Sequence, residues 1–367
     1  MGLQDEIDKT RAVIRTDGYS MSIGEWISLY ENHEIDIHPE FQRFFRWSDF
    51  QKSRLIESIL LGIPIPPIFV AQRPDGVWDV VDGLQRLSTI FQFVGVLRDE
   101  NGSVLPPMVL EPTKYLPSMG GKSWEDSGQP GGAFTSAQRL LIKRSKIDVS
   151  IILRESDEKS KYELFQRLNT GGSPLSDQEV RNSILVMLNP DTYRWLRSLS
   201  ENEDFRECIA LTDRAIEEQY DMDLVLRFIM FRTLSEVKLK NIGDVNEFLT
   251  DQMIDMVSKD CIDTNEETTA FNTTFDILRR RLGSNSFHRY DPVKGRFMGG
   301  FLVSAFELVA LGVGYNYKEL LSASVDVEAI TIDLWKNVQF TSRSGSGVRA
   351  SQRIPNTLVL GRNAFRP

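Results

Sequence analysis

Residues 82–89 read Asp82-Gly83-Leu84-Gln85-Arg86-Leu87-Ser88-Thr89. This stretch follows an apolar, strand-like run at 77–81 and leads into a helix-like apolar run at 90–97. It predicts a turn from a strand into a helix, where unpaired backbone N–H groups and the positive end of the helix dipole attract anions. The guanidinium of Arg86 would add a forked donor that suits phosphate.

A purely structural interpretation of the same turn is also open. Asp82 has the spacing of a helix N-cap whose capping-box partner is Gln85, three residues later. Capping accounts for these two residues but assigns no role to Arg86. The two interpretations are compatible, and the turn alone does not decide between them.

A second polar and aromatic cluster, Phe41-Gln42-Arg43, lies upstream and is followed by Trp47. Aromatic residues near a helix start usually belong to the core, so Trp47 is expected to be structural. Arginine is rarely buried without a partner. We therefore expect Arg43 to face the phosphate turn or to pair with Asp82.

The segment between the two clusters predicts a helix and a hairpin. Ser48 and Gln51 have capping-box spacing, and the helix that they open is expected to end at about residue 61. A strand at 65–71 and a turn at 74–76 follow, and the second strand of this hairpin ends at Asp82.

Three blocks of this sequence, taken in order, resemble the N-terminal domain of GmrSD-type restriction enzymes. The blocks are Phe41-Gln42-Arg43 with Trp47, then Gly62-Ile63-Pro64-Ile65-Pro66-Pro67 with residues 82–89, and finally Phe165-Gln166-Arg167-Leu168-Asn169-Thr170-Gly171-Gly172-Ser173-Pro174-Leu175-Ser176. The family usually has a glutamine at the position of Leu84. The resemblance spans Pro39 to about Ser183 and implies a fold similar to the ParB and sulfiredoxin nucleotide-binding domains.

The third block contains the loop Asn169-Thr170-Gly171-Gly172. Two glycines permit positive φ angles and a close approach of a ligand to the backbone, and Asn169 offers both a donor and an acceptor. By itself the pattern favours a helix C-cap followed by a turn. The family resemblance instead implies that the loop contacts the ligand and folds back against the phosphate turn.

The resemblance implies that the chain binds a nucleoside triphosphate. The residues expected to bind the nucleotide are Gln42, Arg43, Gly83, Gln85, Ser88, Asn169, Gly171 and Gly172. Asp82 and Arg86 are expected to be catalytic, and Asp82 is also expected to hold Mg²⁺ or to orient a water. The phosphate-binding loop Gly-x-x-x-x-Gly-Lys-Ser/Thr does not occur in this sequence, which argues against a P-loop enzyme.

Composition agrees with a soluble cytoplasmic protein. The chain has 367 residues, a formal net charge of −9 and two cysteines, Cys208 and Cys261. This cysteine content argues against a disulfide framework and against a cysteine-based metal site. No apolar segment typical of a signal peptide follows Met1. The most apolar run, 301–313, is too short to span a bilayer and is expected to be a buried helix.

The predicted architecture is α+β, with a mixed α/β N-terminal domain followed by a mainly helical domain. The ParB-like domain is expected at 16–154, with a long Gly-, Pro- and Ser-rich surface loop inserted at 101–132. The helical domain is expected at 155–337, with helices that include 220–239 and 297–311. Residues 338–367 have a basic excess and are expected to form either a solvated tail or a phosphate- or partner-binding arm.

Three functions remain open from the sequence. The favoured one is a regulatory or sensor protein of a prokaryotic, restriction-type defence system, which binds and hydrolyses a nucleoside triphosphate and acts with a separate nuclease or effector subunit. The second is a metal-dependent, ParB-like DNA nuclease. The third is a non-catalytic immunity subunit that binds a partner. The acidic balance and the lack of a His-Asn-His nuclease segment in this sequence disfavour DNA cleavage by the chain alone.

Overall fold

The computed structural model describes residue 2 and residues 16–37, 47–99, 101–126, 128, 132–153, 176–259, 262–345 and 348–367. The chain divides into two compact units, residues 1–174 and residues 175–367. The first unit is mixed α/β and the second is mainly helical, which confirms the predicted fold class. The likeness to ParB and sulfiredoxin domains stays a prediction.

Among the described residues of the first unit, five strands form one mixed sheet. The strands are β1 (Thr16–Ser22), β2 (Ile35–Asp36), β3 (Ile68–Gln72), β4 (Trp78–Asp82) and β5 (Lys146–Ile152). Their order is β1-β5-β3-β4-β2. The β1–β5 and β3–β4 pairs are antiparallel, whereas the β3–β5 and β2–β4 pairs are parallel. The predicted hairpin is present, and Gly76 supplies the positive φ angle, +92°, that its turn requires.

The helices in the described part of the first unit pack around this sheet. They are α1 (Ile23–Glu31), α2 (Asp49–Leu60), α3 (Leu84–Val94) and α4 (Ser136–Arg144). Helix α2 begins at the predicted capping box, in which the Ser48 side chain accepts from the Gln51 N–H and the Gln51 side chain accepts from the Ser48 N–H. Buried side chains of strands and helices, including Trp26, Ile68 and Phe91, form the core between the layers.

The described residues of the segment predicted as a surface loop, 101–126, 128 and 132, have an irregular backbone apart from a short 3₁₀ turn, Pro117–Met119. The segment also contributes to the core, because the side chains of Met108, Met119 and Trp124 are buried. The Oε1 atom of Glu57 accepts hydrogen bonds from the N–H groups of residues 115 and 116 and so attaches the loop to helix α2.

The described elements of the second unit are mostly helices, and a small hairpin lies between two of them. The helices are α5 (Asp177–Leu188), α6 (Pro190–Ser200), α7 (Glu203–Ile209), α8 (Asp213–Glu217), α9 (Tyr220–Phe231), α10 (Glu236–Lys240), α11 (Val245–Lys259), α12 (Thr264–Arg281), α13 (Val303–Tyr315), α14 (Tyr317–Ser322), α15 (Val327–Leu334), α16 (Val338–Thr341) and α17 (Ala350–Ala364). The hairpin consists of β6 (Arg289–Asp291) and β7 (Arg296–Met298).

Two helix predictions for this unit were wrong in their bounds. The helix predicted at 220–239 is interrupted, because Ser235 caps a new helix, α10. The helix predicted at 297–311 begins only at Val303, since residues 296–298 form β7. The most apolar run is the buried helix α13, as predicted. Among the described residues, no helix combines the length and the apolar character needed to cross a membrane.

The segment predicted as a basic arm contains helix α17, which packs closely on α13. A Cβ atom at Gly361 would lie 2.2 Å from the carbonyl oxygen of Leu308, so only glycine permits this approach. The Nη2 atom of Arg362 donates to three carbonyl oxygens, those of residues 231, 232 and 234 at the end of α9. Arg353 pairs with the buried carboxylate of Glu307. These two arginines therefore stabilise the unit.

Candidate functional site

The candidate site lies in the first unit, where strand β4 turns into helix α3. Gly83 is the N-cap of this helix and has a φ angle of +104°. A Cβ atom at this position would lie 2.3 Å from Cδ1 of Ile68, so a larger residue would require the Ile68 side chain to shift. The structural interpretation, in which Asp82 is the N-cap and Gln85 its capping-box partner, was wrong, because the helix begins one residue later with Gly83 as its N-cap.

The N-cap residue Gly83 has no side chain that could accept a hydrogen bond from the first turn of α3. The first intrahelical hydrogen bond runs from the N–H of Leu87 to the carbonyl oxygen of Gly83. The N–H groups before Leu87 have no acceptor within the helix, as in the first turn of any α-helix. A glycine N-cap offers them no side-chain acceptor either, so this end of the helix remains suited to an anion.

Strand β3 is irregular directly opposite the turn. The pairing of β3 with β4 shifts between Phe69 and Val70, and Phe69 is paired with Asp82. Such a bulge changes the direction in which neighbouring side chains point. Asp82 is the last residue of β4, and its side chain is 34% exposed. The strand thus ends with a carboxylate that solvent can reach.

Arg86 is held by two protein acceptors. Its Nη2 atom lies 2.9 Å from Oδ2 of Asp82, and its Nη1 atom donates to the carbonyl oxygen of Pro66 at 2.6 Å. The side chain is only 11% exposed. Each terminal nitrogen of a guanidinium carries two hydrogens, so these two bonds leave further N–H donors on the fork. Arg86 is therefore a partly buried cation in a defined orientation.

Two other predicted residues lie on the same helix. The Oε1 atom of Gln85 accepts a hydrogen bond from the backbone N–H of Trp47 at 3.4 Å, which joins the start of α3 to the segment before α2. Trp47 itself packs against the core, as expected. Ser88 is fully buried, and its hydroxyl has no hydrogen-bond partner among the residues that the structure describes. Burial keeps Ser88 away from solvent.

The remaining predicted ligand residues lie outside the described residues. They are Gln42, Arg43, Asn169, Gly171 and Gly172. The structure thus brings together Asp82, Gly83, Gln85 and Arg86. It also identifies a contact that the sequence analysis missed, the carbonyl oxygen of Pro66, for which the repeated prolines at 64, 66 and 67 offered no specific signal.

A Mg²⁺ ion at the turn would require oxygen ligands. Within the described ranges, no group of three or more His, Cys, Asp or Glu side chains is arranged to hold a metal ion. Asp82 has one carboxylate oxygen, Oδ1, that Arg86 does not use. Mg²⁺ is often bound by one or two carboxylates together with waters and substrate phosphates. Asp82 fits that pattern only if phosphate oxygens complete the shell.

Comparison with known proteins addresses the resemblance that the three sequence blocks suggested. Residues 23–186 match the family model of the GmrSD restriction endonuclease N-terminal domain. The matched range begins at α1 and extends into α5 of the second unit. No curated protein and no solved structure matches the chain. The family match confirms the predicted resemblance and indicates a protein of a restriction-type defence system.

Proposed function

Because residues 23–186 belong to the GmrSD restriction endonuclease N-terminal domain family, we propose that this chain is a nucleotide-dependent regulator in a restriction-type defence system. It binds a nucleoside triphosphate at the turn from β4 into α3 and hydrolyses it. Through this cycle it controls a separate nuclease or effector subunit. The observation that carries the proposal is the arrangement of Arg86 beside the start of α3, where a glycine is the N-cap.

Three features of the turn support triphosphate binding. Gly83 permits a close backbone approach, and a side chain there would meet Ile68. The start of α3 supplies N–H donors and a partial positive charge. The guanidinium of Arg86 is already oriented by Asp82 and by the carbonyl oxygen of Pro66. The donors for a ligand phosphate are therefore already oriented in the folded protein, so binding loses little additional conformational entropy.

The Asp82 carboxylate has two roles in the proposed reaction. Its Oδ2 atom holds Arg86, and its Oδ1 atom is available to accept a proton from the attacking water. The water oxygen bonds to the terminal phosphorus, the bond to the bridging oxygen breaks, and the nucleoside diphosphate leaves. Bound Mg²⁺ would supply neutralisation of phosphate charge. Arg86 would stabilise the negative charge on the transferred group.

Calorimetric titration of the full chain with ATP, GTP, CTP and UTP, each with Mg²⁺, tests the binding step. We expect saturable binding of at least one of them. Release of inorganic phosphate from the nucleotide that binds then tests hydrolysis. The same measurement with and without DNA tests whether DNA changes the rate of hydrolysis. The absence of binding by all four nucleotides would refute the proposal. Binding without phosphate release would limit the function to nucleotide sensing.

A further inference from the structure

A cavity of about 390 Å³ lies within the helical second unit, and nothing in the proposed function uses it. Its size falls in the range of small-molecule sites. Most of the residues that line it have polar side chains, and they come from helices α5, α9 and α11 and from the segment before α9. The side chains on which the argument depends are Asp177, Arg181, Glu218, Tyr220, Asp223 and Arg227.

Arg181 is the most unusual member of this lining. It is only 2% exposed, although a buried arginine normally has all of its donors paired. Its Nε atom donates to Gln178 at 2.8 Å, and its Nη2 atom donates to Asp223. Its buried Nη1 atom has no hydrogen-bond partner among the residues that the structure describes. Burial lowers the pKa of Arg181, whereas Asp223 acts in the opposite direction.

Arg181 belongs to a chain of buried charges in which cations are in excess. Asp223 also accepts from Nε of Arg227 at 2.6 Å, and Nη1 of Arg227 lies 3.7 Å from Glu307. Glu307 in turn accepts two hydrogen bonds from Arg353. Three guanidinium groups thus share two carboxylates in this chain of charges. An uncompensated buried charge is costly, so the cluster favours an additional anion.

The acids at the mouth of the cavity do not remove this excess. Asp177 is exposed, and it accepts a hydrogen bond from the Asn246 side chain. The side chain of Glu218 is 44% exposed and pairs with that of Arg214. Solvent screens both groups more strongly than it screens the buried arginines. Asp177 contributes a favourable charge to Arg181 without supplying a hydrogen bond to Nη1.

Tyr220 adds a neutral donor beside the arginines. Burial raises the pKa of its hydroxyl to about 12, so the group stays protonated under ordinary conditions. Its ring packs edge-to-face against Phe301 with the centroids 6.0 Å apart, which restricts its orientation. A phenolic O–H and an arginine N–H are the usual donors to an oxyanion.

We infer that this cavity is a second, independent ligand site, which binds a small anion through a phosphate or carboxylate group held between Arg181 and Tyr220. The site lies in a different unit from the nucleotide turn, and anion binding there does not require the proposed function. Phosphate and carboxylate share the oxyanion chemistry that these donors recognise. The remaining volume would hold the organic part of the ligand.

The test uses the full chain carrying Arg86→Ala, so that phosphate bound at the nucleotide turn does not contribute. Thermal unfolding and calorimetry are measured with inorganic phosphate and with acetate, against chloride at matched ionic strength. We expect a saturable rise of the unfolding midpoint with one or both anions, because a ligand that binds only the folded state stabilises it. The anion that binds identifies the group. No specific rise with either anion would overturn the inference.

Three variants in this background locate the site. Arg181→Gln should lower the affinity for the anion at least about tenfold, because it removes a charged hydrogen-bond donor. Tyr220→Phe keeps the ring and removes only the hydroxyl, so it tests the site even if Arg181→Gln does not fold. We expect Tyr220→Phe to lower the affinity for the anion about three- to tenfold. Arg280→Ala removes an exposed arginine from α12 and should leave affinity unchanged.

If Tyr220→Phe binds the anion as tightly as Arg280→Ala and as the chain that carries only Arg86→Ala, the anion binds elsewhere and the proposed site is refuted. Failure of the nucleotide proposal gives a different pattern. In that case the chain with Arg86 intact does not bind a triphosphate, while the phosphate or acetate effect persists in the Arg86→Ala background.

Discussion

The Nη2 atom of Arg86 lies 2.9 Å from Oδ2 of Asp82, across the turn that joins the last residue of β4 to the first turn of α3. The pair has the four-residue spacing of a helical ion pair, yet Asp82 precedes the helix. The contact therefore ties the strand end to the helix start. It directs a guanidinium toward the one place in this segment where backbone N–H groups lack helical acceptors.

Replacement of Arg86 tests the charged contact of the proposed nucleotide site. Arg86→Ala should weaken triphosphate binding at least about tenfold, since a hydrogen bond to a charged group contributes about 1.5–3 kcal/mol. Arg86→Lys should recover part of the affinity, because it keeps the charge but loses the fork. Arg98→Ala removes an exposed arginine beyond the opposite end of α3 and serves as the control. Calorimetry on the folded variants measures the affinity for the triphosphate. An unchanged affinity in Arg86→Ala would exclude this contact.

Replacement of Asp82 separates binding from hydrolysis. Asp82→Asn keeps an acceptor for Arg86 but lacks a carboxylate that can take a proton. We expect phosphate release to fall about 10²–10⁴-fold, the range of a lost general base, while nucleotide affinity changes much less. Steady-state kinetics measure this as a fall in kcat at a nearly constant KM. Unchanged kcat in Asp82→Asn would leave Asp82 with a purely positional role.

Gly83→Ala should destabilise the first unit more than Gly76→Ala does. Both glycines have positive φ angles, so each substitution has a similar backbone cost. Only Gly83 has a neighbour that an added Cβ would meet, since nothing lies within 4 Å at Gly76. Urea denaturation should show an additional loss of about 1–3 kcal/mol for Gly83→Ala, the usual cost of overpacking. Equal losses would mean that Ile68 moves away at little cost.

Glu307→Gln should destabilise the second unit by about 3–5 kcal/mol, because it leaves two buried arginines without their shared carboxylate. The side chain of Glu307 is fully buried and pairs with Arg353. Asp333→Asn is the matched control, since it breaks an exposed pair with Lys336 in the same unit and should cost at most about 1 kcal/mol. Chemical denaturation measures both, and comparable small losses would contradict the assignment of Glu307 to a buried charge cluster.

Cys208 should be unreactive in the folded protein. Burial raises the pKa of its thiol to about 12, and the Sγ atom contacts the carbonyl oxygen of Phe275 at 3.8 Å. The thiolate is the reactive species, so its fraction at pH 8 is far below that of a free cysteine. In a Cys261→Ser variant, a disulfide reagent should react slowly before unfolding and fully in denaturant. Fast native labelling at pH 8 would show that Cys208 is accessible.

Local patterns allowed good predictions wherever the determining residues are close in sequence. The capping box at Ser48 and the turn at Gly76 depend on hydrogen bonds and backbone angles within a few residues, and both are present. The apolar run of α13 also indicated burial correctly. The capping of α3 was the exception, because Gly83 takes a left-handed angle that moves the N-cap one residue beyond Asp82.

The sequence by itself determined the likeness of residues 23–186 to the GmrSD N-terminal domain, the mixed α/β character of the first unit and the strand-to-helix turn at 82–86, since these follow from motif order, periodicity and local turn chemistry. Only the tertiary structure decided which groups hold Arg86, through a proline carbonyl 20 residues earlier in the chain. It likewise decided that Arg353 meets Glu307, 46 residues away, within the fold. Contacts of this kind depend on how distant segments pack, and no local pattern encodes them.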